Sequence, residues 1–312
     1  MSLGGHFWTL APFVRDSLVP PEVPAFTEWQ TTCSDPVIGP VPLSGDLSTE
    51  GTSNTLLVIV HGLGGSSTSY YAKRAALAAR RAGIHSLRLN LRGADRRGAD
   101  YYHAGLTDDL VATLESGAFG GYEHILVIAY SLGGNMMLRY LSDRPDPRIR
   151  ATAAVCAPVD LAAGAHGIDQ PHRVAYRRHV LRGLKEIYAG VAARRDVPLP
   201  VDDALRIDSI ERWDDEVIAP RHGFDNARDY WAKTSACFVL KDVRVPTLFL
   251  AEERDPMVLY KDVRLWLDDA DNLTRVVTRQ GGHVGFPRKV DLGIGTRGTV
   301  EDQIIQWMLA PT

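Results

Sequence analysis

From residue 55 onward, apolar runs of strand length alternate with segments of helical period. LLVIVHG (56–62) is a continuous apolar stretch. The segment SSTSYYAKRAALAARRAG that follows opens on serine and threonine and meets Gly83 where a helix end needs a glycine. HSLRLNLRG (85–93) predicts a second strand, and TDDLVATLES a helix opened by Thr107 with two acids in its first turn, which suits the helix dipole. HILVIAYS (124–131) and ATAAVCAP (151–158) predict two more strands, with LGGNMMLRYLSD as the helix between them. VPTLFLAEE (245–253) and TRVVTRQGG (274–282) come later, and VEDQIIQWML (300–309) is the last helix. Strands that are apolar throughout are buried on both faces, so the pattern predicts an α/β fold: a mostly parallel central sheet covered by helices.

Two intervals depart from this rhythm. Residues 1–54 are rich in Pro, Gly, Ser and Thr, with short β-like pieces such as AFTEWQTT, and are expected to form an irregular N-terminal segment with edge strands. Residues 159–240 are far longer than an ordinary connection and are expected to be a helical cap insertion, so the core comprises 55–158 and 241–312. Within the insertion, Val174, Leu181, Leu184, Tyr188 and Val191 recur at helical spacing among Arg173, Arg177, Arg178, Arg182 and Lys185. These basic residues read as a solvated helix face or as a site for an acidic partner.

Composition narrows the function. With 312 residues, 45% of them hydrophobic and 23% charged, the chain can bury a sizeable core without disulfides or a structural metal. A net charge of −3 gives no general pull toward nucleic acid or anionic membrane, so a small-molecule substrate is expected and no nucleic-acid partner. No apolar run approaches the ~20 residues of a membrane span. Cys33, Cys156 and Cys237 are odd in number and far apart, which favours a reducing, cytoplasmic setting over a disulfide framework. No HExxH or other tight His/carboxylate grouping points to a metal, and no cofactor is expected. Oligomeric state is not legible in the chain.

The chemistry centres on AYSLGGNM (129–136), where an apolar strand turns into a helix at Ser131. A serine there matches the nucleophile elbow Gly-x-Ser-x-Gly, in which a strained turn presents Oγ and the residues two before and two after must be small. Ala129 and Gly133 satisfy that size limit, although the first position departs from glycine. The same stretch is compatible with Ser131 acting only as a helix N-cap. A serine nucleophile needs a base, and of ten histidines His283 in QGGHVGF follows the last predicted strand in a glycine-flanked loop. The base needs an acid to fix its tautomer; Asp255 in EERDPM follows the strand VPTLFL, and Asp160 in APVDL is a possible substitute.

Acyl transfer also needs two backbone donors for the oxyanion. HGLGGSS (61–67) follows the first apolar strand, so one donor is assigned to the Leu63 amide and the other to the Leu132 amide directly after Ser131. Read alone, HGLGG is equally a plain glycine turn or a phosphate loop, but neither G-x-x-x-x-G-K-[ST] nor a helix-opening G-x-G-x-x-G is present. The order Ser131, Asp255, His283 is the chain order of α/β hydrolases. His103 and Asp108 form an H-x-x-x-x-D spacing, read as structural, and His61 is expected to brace its loop.

The sequence also resembles the YheT-like branch of the α/β hydrolases. The stretches that carry the resemblance are GHFWTLAP, HGLGGSS, LNLRGADRR, YYHAGLTDDL, AYSLGGNM, APVDL, HGFDNARDYW with the following TSA, VPTLFLAEERDPM and GGHVGF, which span nearly the whole chain. The resemblance implies an α/β-hydrolase fold, a Ser131, Asp255, His283 triad and hydrolysis of carboxylic acyl esters without a cofactor. The departures are Ala129 and Arg254, where relatives often carry another acid. The reading is therefore a serine esterase acting through an acyl-enzyme. Its rivals are a thioesterase, a lipase-like enzyme, an acyltransferase, a lyase or perhydrolase on the same fold, and a non-catalytic binding protein.

Overall fold

The computed structural model describes residues 3–19, 21, 23–143 and 145–310. Its centre is one eight-stranded sheet: β1 (Thr27–Asp35), β2 (Gly39–Ser48), β3 (Thr55–Val60), β4 (His85–Asn90), β5 (His124–Tyr130), β6 (Ile149–Val155), β7 (Thr247–Glu252) and β8 (Thr274–Thr278). The spatial order is β1-β2-β4-β3-β5-β6-β7-β8. β1 and β2 form an antiparallel hairpin that joins antiparallel to β4, and every other pairing is parallel. β3 and β4 are buried along their whole length. The sheet therefore has two apolar faces, and Leu56, Val58 and Val60 pack on one while Leu57 and Ile59 pack on the other.

The first half of the chain contributes α1 (Leu3–Leu18), α2 (Tyr70–Arg81), α3 (Asp108–Leu114) and α4 (Leu132–Ser142). Between β6 and β7 lies a helical insertion of α5 (Leu161–Ile168), α6 (Val174–Ala192), α7 (Val201–Arg206), α8 (Ile210–Trp213), α9 (Ala219–His222) and α10 (Ala227–Thr234). α11 (Tyr260–Leu267) and α12 (Val300–Leu309) complete the cover. α2 docks through Ala72, Ala75, Ala76 and Ala79, whose small size lets the helix sit close to the sheet. α6 buries Val180, Leu181, Leu184, Tyr188 and Val191, the stripe its periodicity predicts. No helix among the described residues is long and apolar enough to cross a membrane.

Residues 1–54 supply the expected edge strands, β1 and β2, but their first part is not irregular. They hold a sixteen-residue helix, Leu3–Leu18, ahead of the β1–β2 hairpin. The helix turns Gly5, Thr9, Pro12 and Asp16 inward and leaves Phe7, Leu10, Val14 and Leu18 exposed. Close approach explains the inversion, since a Cβ on Gly5 would lie 2.0 Å from the Arg254 carbonyl oxygen. Small residues are what this contact admits.

A buried ion cluster ties the insertion to the core. Arg92, after β4, sits 2.8 Å from Asp35, 3.0 Å from Asp100 and 2.8 Å from Asp109. Arg221 of α9 reaches Asp100 at 2.7 Å. Each of the three carboxylates contacts at least one of the two guanidiniums, and such pairing is the condition for burying charge at tolerable cost.

Candidate active site

The sheet order reverses direction around β3, with β4 on one side and β5 on the other. Ligands of open α/β sheets bind outside the carboxyl ends of strands at such a switch point. The loop after β3 carries HGLGG and the turn after β5 carries Ser131, so both motifs arrive at that crevice. Ser131 has φ 50° and ψ −123°. Its two flanking positions are closely packed: Ala129 is fully buried, and a Cβ on Gly133 would meet the His61 carbonyl oxygen at 2.4 Å.

Ser131 stands at the N-cap position of α4, yet its side chain caps nothing. Oγ lies 3.0 Å from His283 Nε2 instead. On the far side of the ring, Nδ1 lies 2.8 Å from Asp255 Oδ2. A carboxylate only accepts, so it holds the proton on Nδ1 and leaves Nε2 to accept from the serine hydroxyl. Asp255 is fixed in turn because Oδ1 accepts from the Met257 and Val258 amides at 2.8 and 3.0 Å. Both Asp255 and His283 are buried.

The glycine loop leaves one amide free. Gly62 N–H donates to the Tyr71 hydroxyl, Gly64 N–H to the Tyr102 hydroxyl and Gly65 N–H to the Gly62 carbonyl. That leaves the Leu63 amide with no acceptor among the described residues, and the Leu132 amide opens α4, where helix donors lack intrahelical partners. His61 accepts from the Leu91 amide through Nε2 and donates from Nδ1 to the Gly62 carbonyl, and burial pushes its pKa down to about 4. It stays neutral and braces the loop.

Other sequence candidates lie elsewhere. Asp160 is the N-cap of α5, accepting from the Ala163 amide. His103 is buried against His222 with ring centroids 4.4 Å apart, while Asp108 is exposed at the start of α3, so the H-x-x-x-x-D spacing does not assemble a pair. The insertion's Arg173 and Arg177 bond the Gly167 and Asp169 carbonyls.

Three features escaped sequence reasoning. Thr9 of α1 accepts from the His283 amide at 2.8 Å, a contact across 274 positions. The Tyr71 and Tyr102 hydroxyls shape the glycine loop without any motif of their own. Cys156, at the end of β6, places its sulfur within 4.8 Å of ligand-type atoms of Asp255 and His283. Burial, reinforced by the charge of Asp255, holds that thiol protonated, and a protonated thiol is a poor metal ligand.

A cavity of about 750 Å³, its open mouth included, joins Ser131 and His283 to the helical insertion. Its walls are largely apolar, with Leu161, Ile168, Val180, Leu184 and Ile218 among them. This is the size and character of a small-molecule site.

Known proteins agree with this architecture. YheT of Escherichia coli (strain K12), provisionally named an esterase, is 31% identical over 238 residues, 74% of this chain and 70% of that protein. The embryogenesis-associated protein EMB8 of Picea glauca is 26% identical over 79% of this chain and 56% of its own length. Among solved structures, an esterase of Pyrococcus furiosus superposes with a TM-score of 0.53 at 17% identity, covering 85% of this chain and 89% of that one. A sequence profile of the Alpha/beta hydrolase family matches residues 57–290. The chain belongs to the α/β hydrolase family.

Proposed function

We propose that this protein is a serine hydrolase that cleaves carboxylic acyl esters through an acyl-enzyme intermediate. The observation that carries the reading is the unbroken line from Ser131 Oγ to His283 Nε2 and from His283 Nδ1 to Asp255. The esterase names of YheT and of the Pyrococcus furiosus neighbour support the substrate class. His283 takes the serine proton as Oγ attacks the acyl carbon, and Asp255 stabilises the imidazolium. The oxyanion is received by the amides of Leu63 and Leu132. His283 then protonates the leaving alcohol, water enters, and the same imidazole activates it to release the acid.

The test is Ser131→Ala with a panel of p-nitrophenyl esters of increasing acyl length. Turnover should fall by about three orders of magnitude or more with the fold intact, and a fluorophosphonate probe should label the native protein but not the variant. Near-normal turnover by Ser131→Ala contradicts the reading.

A further inference from the structure

The cavity is lined by a carboxyl group that the mechanism does not use. Asp214 starts a π-helical turn, Asp214–Ile218, between α8 and α9, and it lines the cavity. π-helical turns recur at functional sites because they re-aim side chains out of a regular helix. The residue is deep within the protein, yet part of its surface remains open to the cavity. One carboxyl oxygen, Oδ2, accepts from the Trp231 indole N–H at 2.7 Å. The other, Oδ1, has no protein partner among the described residues.

A carboxylate in an apolar enclosure is ordinarily paired with a cation. Asp214 has no such partner: none of the ion pairs among the described residues includes it, and the charged neighbour that acts on it is another acid, Asp169. Asp169 is itself occupied by Arg177 at 3.9 Å and by the Ile210 and Glu211 amides. Burial, opposed by the Trp231 hydrogen bond and reinforced by Asp169, pushes the Asp214 carboxyl up to about 7. Around the same part of the cavity stand the rings of Trp213, Tyr230 and Trp231. Aromatic faces attract ammonium groups, and aromatic rings with an uncompensated carboxylate form a site for a weakly hydrated cation.

We propose that Asp214, with Trp213, Tyr230 and Trp231, forms a subsite for an ammonium group carried by the substrate. The proposal rests on the ester-hydrolase reading for its substrates, and it makes the preferred ester a cationic one. The ammonium belongs either to the acyl chain or to the alcohol, and both present the same chemistry to Asp214.

The experiment compares cationic esters with carbon isosteres in which the quaternary nitrogen is replaced by carbon, at pH 8, where the carboxyl is largely ionised. One pair carries the charge on the alcohol, choline butyrate against its isostere. The other carries it on the acyl chain, the p-nitrophenyl ester of trimethylammonio-butyrate against its isostere. In the native enzyme kcat/KM should favour the cationic member of one pair by on the order of tenfold. In Asp214→Asn, which keeps an acceptor for Trp231, that ratio should fall to near one. The pair that shows the preference identifies which side of the ester bears the charge.

A native ratio at or below one in both pairs overturns the proposal, as does a preference that survives in Asp214→Asn. Stronger selection of a hydroxylated ester than of either cation overturns it in favour of neutral alcohols. Should no ester turn over at all, the ester reading fails while the subsite is still decided by binding. Butyltrimethylammonium should quench tryptophan fluorescence in Ser131→Ala and not in the Ser131→Ala, Asp214→Asn double variant. Equal quenching, or none in either, excludes the subsite.

Discussion

A Cβ placed on Gly62 would lie 2.9 Å from the Cβ of Ser131 and 3.6 Å from its Oγ. The loop after β3, which carries Leu63, is thus packed closely against the turn after β5. Gly62→Ala should therefore leave a folded protein in which Ser131 is displaced. A shift on the order of 1 Å lowers the rate by ~100-fold. Ester kinetics alongside circular dichroism check this, and unchanged kcat/KM contradicts it.

Thr9 holds the backbone of His283 while donating its own hydroxyl to the Gly5 carbonyl. Thr9→Val keeps the shape but removes the acceptor, stranding a buried amide at a cost of ~1–3 kcal/mol. The expected outcome is a lower melting temperature and a lower kcat with KM nearly unchanged, both restored by Thr9→Ser. Equal kcat for the valine and serine forms is the contrary result.

Asp255→Asn should depress kcat by several orders of magnitude, because an amide can stabilise the wrong imidazole tautomer. Asp160→Asn should be close to neutral, since asparagine caps α5 as well as aspartate does. Parallel kinetics of the two variants decide between them, and a reversed ranking reassigns the acid.

Glu252, at the end of β7, is buried, and its Oε1 has no hydrogen-bond partner among the described residues. Burial, partly offset by the Arg254 amide and reinforced by Asp255, pushes its pKa up to about 7. The folded state therefore holds a proton that the unfolded chain, with an ordinary value near 4.5, has released. The resulting stability is full below pH ~4.5 and is lost as the pH rises through about 7. Glu252→Gln should accordingly gain on the native protein between pH 5 and 9, by on the order of 3 kcal/mol at most. Urea unfolding at the two pH values measures this, and a pH-independent difference contradicts it.

The parallel strands, and the convergence of Ser131, Asp255 and His283, were legible because buried parallel strands are apolar runs and strand-end loops concentrate chemistry. α1 was not. Gly4, Gly5 and Pro12 disfavour a helix, and Phe7, Leu10, Val14 and Leu18 face outward, so periodicity pointed away from the face that packs. Asp214 lies in the acidic run DDE, which reads as solvated surface, and only the cavity behind it gives it another meaning. The Arg92 cluster draws on positions 35, 100, 109 and 221, a separation that local pattern does not span.

The left-handed backbone at Ser131 links activity to thermal stability. A residue with a Cβ at φ 50° holds that conformation at an expense of ~1–3 kcal/mol, which the surrounding packing must absorb. Glycine adopts the same angles without that penalty, although it is the more flexible residue when unfolded. Ser131→Gly should melt at a higher temperature than the native protein while hydrolysing nothing. Evolution of this chain toward greater robustness is limited at that position: a stabilising change there is the one that removes the hydroxyl proposed as its nucleophile.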